Sequence, residues 1–428
     1  MPPSGRGFAV LFAGSEETFR PHHADRIKFR TERGSELSGK TPVRASDLRG
    51  LNRLIIDATT GVTDVVESMH HNIAGAPGAL AAPSWSRTRG ITGLVYRIIR
   101  GITRLTGGGI DAALAPFVPL GEGSSSTGRE AGLAALNGVL GDHLVATGNP
   151  LAIPMRFRQG GEPLVPSDGR RLLVLAHGLC MNDLQWNRKG HDHGAALARD
   201  LDFTPVYLHY NSGLHISTNG CAFAGLIEDL VRQWPVPVEE MVILGHSMGG
   251  LVTRSACYYG RSAGHSWLRH LKKIVFLGTP HHGSALERGG NRVDSILEMS
   301  RYTAPLSRLG KTRSAGITDL RHGNLLDEDW EGRDRFEEPE DFRQPVPLPD
   351  GVQCYAMAAA ARKLGSLESR FLGDGLVPVN SALGRHEDVG RTLPIPESRQ
   401  WIASGMTHFD LLSRPEAYEK IREWLVDC

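Results

Sequence analysis

The stretch Met241–Leu251, MVILGHSMGGL, constrains this chain more than any other. Met241 to Leu244 form an unbroken apolar run of strand length, and residues 251–259 carry a helical pattern. Between them, Gly245-His246-Ser247-Met248-Gly249 fits G-x-S-x-G. Buried strand, tight turn with a serine, then helix is the order that lifts a serine Oγ above the carboxyl end of a sheet. The flanking glycines have a steric reason. The turn holds its serine at a strained backbone angle, and side chains beside it would meet the neighbouring strand and helix. The Met248 N–H then opens a helix, where the backbone favours negative charge on a nearby oxygen. A bare five-residue pattern also occurs in glycine-rich turns that merely contain a serine. The strand before it and the helix after it favour the chemical reading.

The rest of the chain repeats the strand-then-helix rhythm. Residues 171–176, RLLVLA, read as a strand buried on both faces. A helix over 193–200, a strand over 204–209, a helix over 221–233, a strand over 273–277 and one over 352–357 follow. A hairpin is expected around Gly160-Gly161, and a closing helix over 415–426. Strands alternating with helices predict an α/β fold with a mostly parallel, doubly wound sheet. Its domain is expected to span 149–428. Residues 285–348 break the rhythm, being rich in Arg, Asp, Glu and Gly, and are expected to form an inserted cap or lid with a helix over 293–309. Residues 1–45 are polar and Arg-rich and are expected to be disordered. Residues 46–148 are expected to be a helical N-terminal extension, with apolar steps at Leu48, Leu51, Ile55, Ala58 and Val62, a second run from Ile91 to Leu105, and a third helix over 127–147. Two roles compete for it: packing on the main domain, or a basic surface bearing Arg97, Arg100 and Arg104 that sits on a membrane or covers the site.

A net charge of +1 argues against binding nucleic acid by neutralising phosphates. The five cysteines are isolated, with no C-x-x-C pair, so neither a zinc site nor a disulfide framework is indicated. Reduced thiols in a cytoplasmic protein are expected, and no apolar stretch reaches the 18 or so residues of a membrane span.

A serine is a weak nucleophile at neutral pH and needs a base, an acid to orient the base, and donors for an oxyanion. In this kind of strand–turn–helix site the partners follow in the order serine, acid, histidine. After Ser247 the sequence offers Asp374 in GDGLVP and His408 in GMTHFD, each one loop beyond a strand. Asp410 is the rival acid and reads as structural. His177-Gly178 ends the 171–176 strand, and the N–H of Leu179 is the candidate second oxyanion donor beside that of Met248. Alone, Asp374 reads equally as a turn residue and His408 as one of 18 histidines. Their order relative to Ser247 is what selects them.

With AHGL at 176–179, GHSMGG at 245–250, LGTPHHGS at 277–284, GDGLVP at 373–378 and the His408 segment in order, the chain from about Asn149 onward resembles α/β-hydrolases of the lipase and esterase type. It is similar to bacterial lipases and to the lipase-like domain of GPI inositol-deacylases. The resemblance implies Ser247 as nucleophile, Asp374 as acid, His408 as base, and Leu179 and Met248 as backbone oxyanion donors. His177, Gly178, His246, His281 and His282 would line the pocket. It implies a serine hydrolase acting on small-molecule or lipid esters without cofactor or metal and without an obligate protein partner. A lipid or GPI-type deacylase or acyltransferase, and a catalytically silent interaction module, are the alternatives.

Overall fold

A strand whose side chains are all apolar is stable only where both faces of the sheet are covered. The runs picked out above meet that condition. The computed structural model describes residues 46–59, 127–284, 313–333, 341–360, 374 and 376–426. Eight strands form one sheet: β1 (Arg156–Gln159), β2 (Glu162–Pro163), β3 (Arg171–Ala176), β4 (Thr204–His209), β5 (Glu240–His246), β6 (Leu271–Leu277), β7 (Gln353–Ala360) and β8 (Gln400–Ser404). Their order across the sheet is β2-β1-β4-β3-β5-β6-β7-β8. The pairs from β4 through β8 are all parallel, while β1 runs antiparallel to β2 and β4.

Alternation along β3 assigns each side chain to a layer. Leu172, Val174 and Ala176 enter one core cluster; Leu173 and Leu175 enter the other. Helices α3 (His193–Leu201) and α8 (Pro415–Val426) cover the second face, with Leu197, Ile421 and Leu425 buried there. Helices α4 (Ile216–Gln233) and α5 (Met248–Ser262) cover the first, with Phe223, Ile227, Leu251 and Val252 buried. Burying one such side chain contributes roughly 1.5–3 kcal/mol. Helices on both faces and a strand order that reverses beside β3 give the α/β-hydrolase architecture.

Helix α2 (Thr127–Ala146) is a structural part of this body. Ala134, Ala135, Val139 and Leu144 are buried, and Val139 joins the core cluster under the sheet. Its glycines permit close approach: a Cβ on Gly138 would stand 2.9 Å from the Cys180 Cα. Buried Glu130 accepts from Arg158 Nη1 at 3.0 Å, and the same nitrogen reaches Asp183 at 3.1 Å. The helix over 46–59 attaches by polar contacts, Arg53 to the Gly148 carbonyl at 2.7 Å and Asn149 Nδ2 to the Gly50 carbonyl at 3.0 Å. Its Leu48, Leu51 and Ile55 remain exposed. The expected disorder of 1–45, the second helical run and Arg97, Arg100 and Arg104 lie outside the described residues.

The described part of the expected lid is packed. Helix α6 (Ala315–Asp319) is buried, and Ser314 Oγ, which caps it, donates to the Gly138 carbonyl at 2.6 Å. Ala315 N–H donates to Asp142 at 3.1 Å. Residues 313–333 therefore join α2 to the body. The helix expected over 293–309 lies outside the described residues. Among the described residues no helix is long and apolar enough to cross a membrane.

Candidate active site

Ser247 sits between β5 and α5 with φ 53° and ψ −124°. That positive φ is costly for a residue with a Cβ and persists only where packing enforces it. The enforcement is visible in the glycines. A Cβ on Gly245 would lie 2.6 Å from the Gly250 Cα, and one on Gly249 would lie 2.6 Å from the His177 carbonyl. One glycine admits the helix and the other admits the end of β3. The Ser247 N–H donates to the Leu277 carbonyl at 2.8 Å, which ties the turn to β6. Met248 is the first residue of α5, so its N–H has no acceptor inside the helix.

His408 lies in the loop between β8 and α8, buried. Its Nδ1 is 2.8 Å from Asp374 Oδ2. The other Asp374 oxygen accepts the N–H groups of Leu376 and Val377, both at 2.9 Å. Both carboxylate oxygens thus have donors, and the Asp374 side chain is only 1% exposed. A buried carboxylate held this way fixes the imidazole with Nδ1 protonated and Nε2 open as a base. Gly278, with φ +61°, passes close to the same ring: a Cβ there would lie 2.9 Å from His408 Cε1.

Ser247 and His408 line one small cleft with Gly178, Leu179, Met181, His246, Pro280, Ser284, Leu320, Leu376, Val377 and Phe409. A Cβ on Gly178 would stand 3.0 Å from Ser247 Cβ, so the strand-end turn carrying Leu179 runs against Ser247. The rival acid, Asp410, is committed elsewhere. Its carboxylate accepts from Thr407 N–H and Oγ1 and from Lys189. Burial opposes its ionisation, but the Thr407 donors and Lys189 prevail and hold it down at about 2.

The five histidine and glycine positions expected at the pocket separate into different places. Gly178 and His246 line the cleft. His246 is buried, tilted against His408 with ring centres 4.8 Å apart, and burial holds it neutral, well below the usual imidazole range. His177 stacks on Tyr210 at 4.3 Å, and Tyr210 OH donates to its carbonyl at 2.8 Å; burial lowers its pKa to about 3. It supports the turn from behind. His281 and His282 line a different cavity, with Arg254 and Arg343. The loop bends between Pro280 and His281, which divides one sequence motif between two cavities.

Sequence reasoning missed Leu320, Leu376, Val377 and Gly278. Leu376 and Val377 lie two and three residues after Asp374, and their N–H groups were a readable signal: a loop carboxylate just upstream accepts such donors. Leu320 comes from the segment read as a lid, and no local pattern marks it. Among the described residues there is no group of three or more His, Cys, Asp or Glu side chains able to hold a metal ion.

Residues 224–343 match the PGAP1-like alpha/beta domain. With its sheet order and the Ser247 turn, this chain has an α/β-hydrolase fold. The matched segment contains β5, Ser247 and α5. No curated protein matches the sequence. Among solved structures, the mature Bacillus licheniformis lipase BlEst2 is 16% identical, with a TM-score of 0.38 over 64% of this chain and 98% of that one. Phospholipase PlaB from Legionella pneumophila is 15% identical, with a TM-score of 0.39 over 61% of this chain and 59% of that one. An esterase from Pyrobaculum calidifontis is 13% identical, with a TM-score of 0.37 over 69% and 90%.

Proposed function

We propose that the protein is a serine hydrolase that cleaves carboxylic esters through an acyl-enzyme. The observation that carries this reading is Ser247, strained at φ 53° and sharing a cleft with His408, whose Nδ1 is bonded to Asp374. His408 Nε2 takes the Ser247 proton as Oγ attacks the acyl carbonyl. The N–H groups of Met248 and Leu179 receive the oxyanion, each worth about a hundredfold or more in rate. His408 then protonates the leaving alkoxide. Water, deprotonated by the same nitrogen, attacks the acyl-enzyme, and His408 returns that proton to Ser247 Oγ as the acid leaves. Asp374 keeps the tautomer and stabilises the imidazolium. No cofactor or metal enters these steps.

In this reading the substrate is a small-molecule or lipid ester and the protein is cytoplasmic. The match to the PGAP1-like domain favours a second form of the same chemistry, in which the ester belongs to a lipid-linked glycan or the acyl group passes to another alcohol. The exposed Leu48, Leu51 and Ile55 on the 46–59 helix support contact with a membrane surface. A silent interaction module is the reading outside catalysis. p-Nitrophenyl esters of graded chain length separate these. Wild type is expected to turn them over with an initial burst, and Ser247→Ala to fall by about a millionfold in kcat. Turnover that survives the substitution would reject the serine mechanism, and no turnover of any ester by wild type would favour the silent module.

A further inference from the structure

A second cavity of about 210 Å³ lies on the far side of the Thr279–Ser284 loop from the Ser247 cleft. Arg254, Arg343 and Arg391 line it, with His281 and His282. Among the described residues three carboxylates are near, and all are occupied. Asp388 accepts the Gly390 N–H at 2.9 Å and stands 3.7 Å from Arg391. Asp341 serves two guanidinium groups, bonding Arg343 through both oxygens at 2.8 Å and Arg391 at 2.9 Å. Asp329 accepts three backbone N–H groups, those of Leu325, Leu326 and Gln344. Arg254 is left with no carboxylate in ion-pair distance among the described residues. It is 5% exposed, its Nη2 donates to the Val346 carbonyl at 2.6 Å, and its Nε has no acceptor. His281, fully buried, also has an unpartnered Nε2.

A buried guanidinium without a paired counter-charge is unfavourable, and an anion that pairs with it relieves that cost. Burial, and then the like charge of Arg343, lower the Arg254 pKa to about 10. A planar, permanently charged fork is also the side chain best shaped for an oxyanion with several acceptor oxygens. We propose that this cavity binds a phosphate group, carried by a soluble phosphate or by a lipid headgroup, with Arg254 as its buried anchor and Arg391 at the rim. The site is separate from the serine chemistry. Because His281 follows Pro280, which lines the Ser247 cleft, a bound phosphate would brace the wall of that cleft from behind.

The test uses full-length protein and does not read hydrolysis, so it stands or falls apart from the serine mechanism. Inorganic phosphate is titrated by calorimetry, and flotation is measured with phosphatidylcholine vesicles with and without phosphatidic acid. If the source is soluble, wild type binds inorganic phosphate, and Arg254→Met weakens it by about tenfold or more. If the source is a headgroup, wild type floats only with phosphatidic acid vesicles, and Arg254→Met abolishes flotation. Arg391→Gln, at a half-buried rim position, is read the same way should Arg254→Met fail to fold. Binding of neither probe by wild type, or equal binding by wild type and variants, would overturn the proposal.

Discussion

Replacing Asp374 with Asn changes one atom in a side chain that is almost fully buried. The structure decides which way the amide must face. Asp374 Oδ1 accepts from Leu376 and Val377, so the amide oxygen is held on that side. The reverse orientation would set an NH₂ group against two N–H donors, which is the worse arrangement. The NH₂ therefore faces His408 Nδ1, where Asp374 Oδ2 now stands 2.8 Å away, and donates to it. Donation to Nδ1 forces the proton onto Nε2, the nitrogen that must act as base. The fold keeps its packing, while the fraction of enzyme with a competent base collapses. The same exchange in a serine protease reduces kcat by about 10⁴, equivalent to about 5 kcal/mol of barrier. The assay is kcat on a short p-nitrophenyl ester, with the thermal midpoint measured in parallel. Expected are a fall of about 10⁴ in kcat, a midpoint within a few degrees of wild type, and a loss of less than about tenfold for Asp410→Asn. Asp374→Asn activity within tenfold of wild type, or a larger loss for Asp410→Asn, would refute the assignment.

Removal of residues 1–148 takes away α2 and is expected to give insoluble or unfolded protein, checked by circular dichroism; a soluble, fully active truncation would contradict its place in the core. Gly249→Ala sets a methyl against the backbone at the end of β3 and is expected to destabilise by about 3 kcal/mol or more in a denaturant titration. His177 and His193 are buried and neutral, with pKa values lowered by burial to about 3 and about 4. The unfolded chain binds protons at these positions below about pH 6.5 and the folded chain does not, so stability is present above that pH and lost as pH falls. The loss is about 2 kcal/mol for each between pH 7 and pH 5. His193→Gln is expected to flatten the acid side of the stability curve, and a curve as steep as wild type would exclude that imidazole as a contributor.

The legible parts of this chain were those in which local pattern and tertiary role agree. Residues 172–176 read as a strand because a parallel sheet buries both faces, which leaves an unbroken apolar run in the sequence. Helix α5 starts at Met248, three residues before its periodicity does, because Gly249 and Gly250 are chosen for close packing and not for helical pattern. Strand β8 had no such run: Gln400 and Trp401 are half-buried at the sheet edge, and the strand is only five residues long. Ser247, Asp374 and His408 could be named because each follows a strand in a fixed order. The site's packing could not. That Leu320 reaches the cleft, and that His281 turns away from it beside Pro280, depends on contacts between segments distant in sequence. Residues 313–333 read as a loop-rich insertion because their composition is polar, yet Asp319 and Asp329 are buried as acceptors for backbone N–H groups of Ile216, Leu325 and Leu326. Polarity of that kind looks like surface in a sequence and serves as internal structure in the fold.

The central claim is that Ser247 is an activated nucleophile, and covalent labelling reads that directly. Full-length protein is treated with a fluorophosphonate, its intact mass is recorded, and the adduct is mapped on digested peptides. The account predicts one adduct per chain, on Ser247, formed more slowly in Asp374→Asn and absent in Ser247→Ala. No adduct on wild type, or an adduct that persists in Ser247→Ala, would contradict it.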